Sequence, residues 1–254
     1  MKIVVIGATG LIGTQLVAVL QRAGHAVVAG SRANGIDAVS GTGIVRAVAG
    51  ADVVVDVMNV PERDGDEARR LFVDASTTLL RAEADAGVGH HIVLSVVGVD
   101  RAHGDGYFRA KAAQEEAVES GGVPYTIVRA TQFYEFAHQI AAWNTVEDTV
   151  RLPGRAMRPV ASGDVTAALV RVAGAAPVEA AVEVAGPEVI PLDDFVRRVL
   201  LKDHDERYVF TAADAQPIGF NLDGELLLPG PDASISPTTL ESWLHRDHVD
   251  VTVA

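Results

Sequence analysis

The sequence contains no cysteine, which removes disulfides, thiolate metal sites and a cysteine nucleophile together. That absence fits a cytoplasmic protein. Basic residues are in deficit, with 21 Lys and Arg against 34 Asp and Glu and a formal charge of −13. Nucleic-acid binding depends on clustered cations that neutralise phosphates, so nucleic acid is not an expected partner. No apolar run approaches the roughly 20 residues of a membrane span, so a membrane is not expected either. The apolar run from Ile3 to Ile6 is too short for a signal-peptide core and runs straight into glycines, which points to a soluble, uncleaved chain. Neither a Gly-x-Ser-x-Gly elbow nor an internal repeat or low-complexity tract occurs, which leaves hydrolase and solenoid readings without support. Aromatic residues make up 5% of the chain.

What is present is an ordinary globular mixture: 254 residues, 48% hydrophobic and 22% charged. That size and composition suit one folding unit. Lys2 to Ile6 is a continuous β-branched run, the pattern of a strand buried on both faces of a parallel sheet. Leu11, Leu16, Val19 and Leu20 recur at helical spacing up to Gly24, and a second strand follows at Ala26 to Gly30. The alternation continues with a short strand at Ile36 to Val39, a helix at Ile44 to Ala49, a strand at Asp52 to Val57 and a helix at Asp66 to Ala86. Next come a strand at His91 to Val96, a helix at Tyr107 to Ser120 and a strand at Tyr125 to Arg129. The expected fold is α/β, a Rossmann-type doubly wound parallel sheet.

After about residue 130 prolines break the pattern. Helices are still predicted at Ser162 to Ala173, with Ser162 as N-cap, at Leu192 to Leu201, and at Pro237 to His245. This half reads as a small C-terminal, substrate-side cap. The boundaries are a core of about 1–150 plus 159–190 and cap elements of about 131–158 and 191–254 in one domain.

The first strand-to-helix turn is Gly7, Ala8, Thr9, Gly10, Leu11, Ile12, Gly13. Small residues at this spacing let the backbone approach a pyrophosphate, whose charge is stabilised by free N–H groups and the helix dipole. An NAD site carries an acidic residue at the end of the second strand to bind the ribose hydroxyls. Here Ser31 and Arg32 follow Gly30. A guanidinium cannot accept those hydrogen bonds, yet its permanent charge and bidentate geometry suit a 2′-phosphate. NADP(H) is therefore expected over NAD(H). Tyr107 and Lys111 stand four apart on a predicted helix and share one face. An ammonium held near the phenol would lower its pKa toward the working pH and make it a proton donor to a carbonyl.

The chain resembles the short-chain dehydrogenase/reductase superfamily, in its atypical NmrA-like branch. The resemblance rests on GATGLIG from Gly7, Ser31-Arg32, LSVVG from Leu94, YFRAK from Tyr107 and PYTIVRATQFYEF from Pro124. PVASGDV from Pro159 and VAGPE from Val184 extend it. It implies a Ser-Tyr-Lys system, with Tyr107 transferring the proton and Lys111 lowering its pKa and holding the nicotinamide ribose. Ser95 is the serine near the strand end, whereas extended members carry the hydroxyl about two residues later, where Val97 stands. The resemblance also places Met58 and Asn59 under the adenine and ribose, and Ala130 and Thr131 beside the nicotinamide. Phe133, Tyr134, Phe136 and Trp143 fall where the family's substrate cleft opens, suggesting an apolar substrate; packing of the cap on the core accounts for them equally well.

Two functions lead, ahead of an epimerase or isomerase that would use the nicotinamide transiently. One is an NADP(H)-dependent oxidoreductase moving a hydride to or from a small carbonyl, quinone or activated alkene. The other is a redox sensor that binds the dinucleotide without catalysis. Retention of the Tyr-Lys pair favours the enzyme. His90 with His91, and His245 with His248, read as surface histidines without a third metal ligand, and acidic pairs along the helices read as solvated faces. Nothing in the sequence fixes the oligomeric state.

Overall fold

Ile3 and Val5 point to one side of a strand and Val4 and Ile6 to the other, and both sides are buried. That is why the opening run has no polar alternation. The strand is β1 (Lys2–Ile6), seen in a computed structural model that describes residues 1–60, 65–101, 106–215 and 228–245. It leads to α1 (Leu11–Arg22), β2 (Ala26–Gly30), α2 (Ile44–Val48), β3 (Val53–Asp56) and α3 (Gly65–Ala86). Next come β4 (His90–Val96), α4 (Tyr107–Glu119) and β5 (Tyr125–Ala130). The second half holds α5 (Ala137–Trp143), β6 (Thr145–Val146), β7 (Thr149–Leu152), β8 (Ala156–Met157) and α6 (Ser162–Ala173). It continues with β9 (Ala181–Ala185), β10 (Ile190–Pro191), α7 (Leu192–Lys202), β11 (Tyr208–Thr211), β12 (Ser234–Ile235) and α8 (Leu240–Leu244).

Seven strands pair in the order β12-β9-β5-β4-β3-β1-β2, every pairing parallel. This is a Rossmann-type α/β sheet with helices on both faces. Ile3, Val5, Val55, Ile92 and Val128 pack against Leu16 and Leu20 of α1 and Val165 and Leu169 of α6. On the opposite face Val4, Ile6 and Val54 meet Ile44 of α2 and Ala75 and Leu79 of α3. The chain leaves β1 for β2 and then returns past it to β3, so the direction of winding reverses between β1 and β3. Ligands of such sheets bind at the carboxyl ends of the strands at that reversal.

A separate cluster of buried side chains joins Tyr134, Ile140, Leu152, Met157, Phe195, Val199, Leu240 and Trp243. It is built from α5, α7, α8 and the small sheet β11-β7-β6. Phe133 packs against the core of the large sheet and Phe136 against this second cluster. Their rings stack across the seam, with centroids 5.5 Å apart and planes at 17°.

Several sequence expectations need correction. The segment Ile36 to Val39 forms no strand. Gly35, Gly41 and Gly43 hold positive φ, and the Asp37 side chain accepts from the Val39 N–H at 3.0 Å. The alternating Ile36 and Ala38 are still buried, but in a turn. Ser162 is the first residue of α6 and not its N-cap, which is Ala161. The Glu135 carboxylate accepts from the Ser162 N–H and hydroxyl at 3.1 and 2.6 Å, leaving no capping role for the serine. The last helix starts at Leu240 and not Pro237, with the Thr239 hydroxyl accepting from the Ser242 N–H.

Candidate functional site

Gly7 follows β1 with φ +84°, and a Cβ there would lie 2.8 Å from the Met58 nitrogen. At Gly13 a Cβ would lie 2.1 Å from the Gly7 carbonyl oxygen. The missing side chains let β1, α1 and the end of β3 close on one another. No side chain caps the N-terminus of α1, whose N-cap is Gly10. Ala8, Thr9, Leu11 and Ile12 complete this turn, and free backbone donors at a helix start suit a pyrophosphate.

At the end of β2, Ser31 is buried and its hydroxyl has no hydrogen-bond partner among the described residues. Arg32 starts an exposed single turn and makes no ion pair among those residues. The buried hydroxyls of Ser95 and Thr131 are likewise without partners. Buried polar groups without partners cost free energy. Three of them along one rim of the sheet, beside an uncapped helix N-terminus, fit a polar ligand such as a nicotinamide dinucleotide. Ala130 closes β5 on the α1 side and is buried, whereas Asn59 is exposed.

Tyr107 opens α4 and Lys111 lies one turn later, both against α3. The Tyr107 ring meets Phe72 edge-on at 6.1 Å and Phe108 at 6.3 Å. Although the residue is 39% exposed, this packing desolvates the phenol and pushes its hydroxyl up to about 12. That corrects the expectation of a phenol lowered by its lysine: burial alone shifts it, and upward. At neutral pH Tyr107 is therefore protonated, as a proton donor needs.

Lys111 is only 2% exposed. Its ammonium lies 4.7 Å from the Phe72 ring centroid and donates to the Leu94 carbonyl at 2.7 Å and to Gln114 Oε1. Burial pulls it down to about 8, opposed by the charges of Asp56 and Glu115. Gln114 Nε2 donates to Asp56 Oδ2 at 3.0 Å and to the Ser76 hydroxyl at 3.2 Å. Asp56 Oδ1 accepts from the Met58 N–H at 2.9 Å, which ties this interior network to the turn packed against Gly7. Burial raises the Asp56 carboxyl, partly offset by His91.

These buried polar groups were not anticipated, although Tyr107, Lys111, Gln114 and Val118 share one helical stripe, the spacing that marks an inward face. The reading of acidic helix residues as solvated fails at Glu115, whose carboxylate takes a two-pronged contact from Arg129 at 2.7 and 3.1 Å. It fails again at Glu83, buried against His91 Nδ1 at 2.9 Å. His91 and His90 are thus interior residues, the latter bonded to the Thr126 hydroxyl at 2.8 Å. His245 is exposed beside Glu241, and His248 lies outside the described residues.

Phe133 and Phe136 stand at the seam between core and cap. Tyr134 does not join them: it is fully buried, donates to the Thr238 carbonyl at 3.1 Å, and packs on Phe195 and Trp243. Its place in the cap core removes it from the substrate-facing set, and Trp143 ends α5 partly buried.

A dinucleotide-shaped turn at the reversal of a parallel sheet defines a nicotinamide-nucleotide-binding α/β protein. The chain belongs to the NAD(P)H-binding family, whose pattern it matches over residues 35–176. This agrees with the resemblance to short-chain dehydrogenases/reductases. The glycine turn precedes the matched stretch, and its assignment rests on geometry.

Among characterised proteins, the chain is 31% identical over 144 residues to a (4-alkanoyl-5-oxo-2,5-dihydrofuran-3-yl)methyl phosphate reductase of Streptomyces griseus. The match covers 52% of this chain and 48% of that protein, so it spans about half of each. Among solved structures it resembles the Bordetella bronchiseptica enzyme WbmH in complex with NAD+, with TM-score 0.71 and 15% identity over 96% of this chain and 95% of that one. A dTDP-4-dehydrorhamnose reductase of Bacillus anthracis in complex with NADP gives TM-score 0.67 and 14% identity, covering 85% and 87%. These structural likenesses concern the fold. Among the described residues no helix is long and apolar enough to cross a membrane.

Proposed function

We propose that the chain is an NADP(H)-dependent oxidoreductase acting on a small, largely apolar carbonyl, quinone or carbonyl-conjugated alkene. The observation that carries this reading is the juxtaposition on α4 and β4. Tyr107, protonated at neutral pH, lies one helical turn from Lys111, whose buried ammonium reaches the Leu94 carbonyl next to Ser95, a buried hydroxyl with no partner among the described residues.

The turn Gly7 to Gly13 would hold the pyrophosphate, Ser31 and Arg32 the 2′-phosphate, Met58 and Asn59 the adenosine edge, and Ala130, Thr131 and Lys111 the nicotinamide end. The dinucleotide would supply or accept the hydride. Tyr107 donates its proton to the substrate atom that gains negative charge. The Lys111 ammonium stabilises the phenolate left behind. Ser95 orients the substrate oxygen, and the Phe133–Phe136 stack offers an apolar wall. The named substrate of the Streptomyces relative contains a ring alkene conjugated to carbonyls, and that chemistry supports the conjugated-alkene class here.

The test follows NADPH consumption with a panel of cyclic enones, unsaturated lactones, quinones and simple ketones. Turnover of a conjugated substrate that falls about a hundredfold or more in Tyr107→Phe supports the reading. Undiminished turnover in that variant contradicts the assigned proton donor. One observation favours a non-catalytic dinucleotide sensor: Val97 occupies the place where extended members of the superfamily carry the hydroxyl, and it is buried. Tight NADPH binding with no turnover across the panel would decide for that reading.

A further inference from the structure

Lys111, Gln114 and Glu115 are three consecutive polar positions on the inward face of α4, and all are buried. Glu115 is accounted for by Arg129, which anchors α4 to β5. Gln114 makes no such bond to β5. Its amide is polarised instead, with the oxygen accepting from the Lys111 ammonium and the nitrogen donating to the Asp56 carboxylate and the Ser76 hydroxyl. An amide is suited to this place because it offers an acceptor to a cation at one end and donors to an anion at the other. It joins the two charges without itself being ionised. A hydrocarbon side chain would leave both the ammonium and the carboxylate short of a partner in a dry interior.

We propose that Gln114 is a positioning residue of the site: its amide, anchored by Asp56 and Ser76, holds the Lys111 ammonium at the C-terminal end of β4, next to Ser95 and one helical turn from Tyr107. This rests on the reading of Tyr107 and Lys111 given above and adds the group that fixes where the ammonium stands. The charged and titratable groups around it are few. Asp56 comes from β3 and Glu115 from α4 itself. The pair of Glu83 on α3 with His91 on β4 acts on Asp56 through its charges. Asp56 meanwhile holds the Met58 N–H beside Gly7, so one carboxylate braces both the cofactor turn and the lysine.

The chain contains three lysines, Lys2 at the start of β1, Lys111, and Lys202 at the end of α7. Labelling lysine side chains with ¹³C therefore gives three signals in the full-length protein, two of them internal references. In Gln114→Leu the Lys111 titration midpoint falls by about one unit or more, because the charged form loses an acceptor. In Gln114→Glu the midpoint rises, because a carboxylate then faces the ammonium. The kcat for NADPH-dependent reduction falls about tenfold in Gln114→Leu, with the KM for the organic substrate little changed. If Gln114→Leu fails to fold, the near-isosteric Gln114→Glu carries the test through its upward shift.

A Lys111 midpoint that stays at the wild-type value in Gln114→Leu or in Gln114→Glu overturns the proposal. Full activity in Lys111→Met would instead overturn the catalytic reading, and the titration would still report whether Gln114 holds the ammonium.

Discussion

Two burial effects of opposite outcome meet on one face of α4. Desolvation keeps the proton on Tyr107 up to about pH 12, while it loosens the proton on Lys111 to about pH 8. If Lys111 must be charged to stabilise the phenolate, kcat is level near neutrality and falls tenfold per unit above about pH 8, a slope read directly from a pH–rate profile. The same lysine shapes stability. Its ordinary value is 10.5, so between about 8 and 10.5 the unfolded chain holds a proton that the folded chain has released, and its contribution to stability rises with pH across that window. Below it both states are protonated and the folded state bears the full cost of burying the ammonium. Lys111→Met should accordingly raise Tm at pH 7, by about 2–4 °C for each kcal/mol relieved, while abolishing turnover. The Tyr-Lys spacing was legible in the sequence because two residues four apart must share a helix face. The inward turn of the ammonium was not, because Asp56 and Ser76, which hold Gln114, come from elements remote in the chain.

At the scale of elements, the glycine turn and the start of α6 show what local pattern can and cannot reveal. The glycine spacing of the turn was legible in the sequence, whereas the structure adds that a Cβ at Gly13 would overlap the Gly7 carbonyl. Gly13→Ala should destabilise by more than about 3 kcal/mol, through forced displacement of α1, and weaken NADPH binding. Gly10→Ala, whose added Cβ would meet the Gly7 oxygen at 3.4 Å, should be far milder; thermal melts of the two variants make the comparison. The strand expected at Ile36 to Val39 was misread because alternating burial of Ile36 and Ala38 arises equally in a turn held by three left-handed glycines. Ser162 was misread as a cap because the carboxylate that does that work, Glu135, lies 27 residues away. Glu135 also accepts from the Trp243 indole N–H at 3.2 Å, joining α6 of the core to α8 of the cap. Glu135→Ala should cost about 1–2 kcal/mol in chemical denaturation.

Across the whole molecule, the doubly wound parallel class of the sheet could be read from alternating strand and helix patterns, since each unit is local and the crossover rule fixes its hand. The second half could not be resolved that way. Its strands are two to four residues long apart from β9, too short to carry a period. The excess of acid over base gives the surface no general attraction for phosphates. Under the proposed reading a dinucleotide is held by specific groups, the glycine turn, Ser31 and Arg32, the last of which makes no ion pair among the described residues. The most direct measurement titrates the purified chain with NADPH and with NADH, following nicotinamide fluorescence, and repeats both with Arg32→Ala. The account predicts NADPH binding at least ten times tighter, worth about 1.4 kcal/mol, and loss of that margin in the variant. Equal affinity for the two cofactors, or a margin that survives Arg32→Ala, would contradict it.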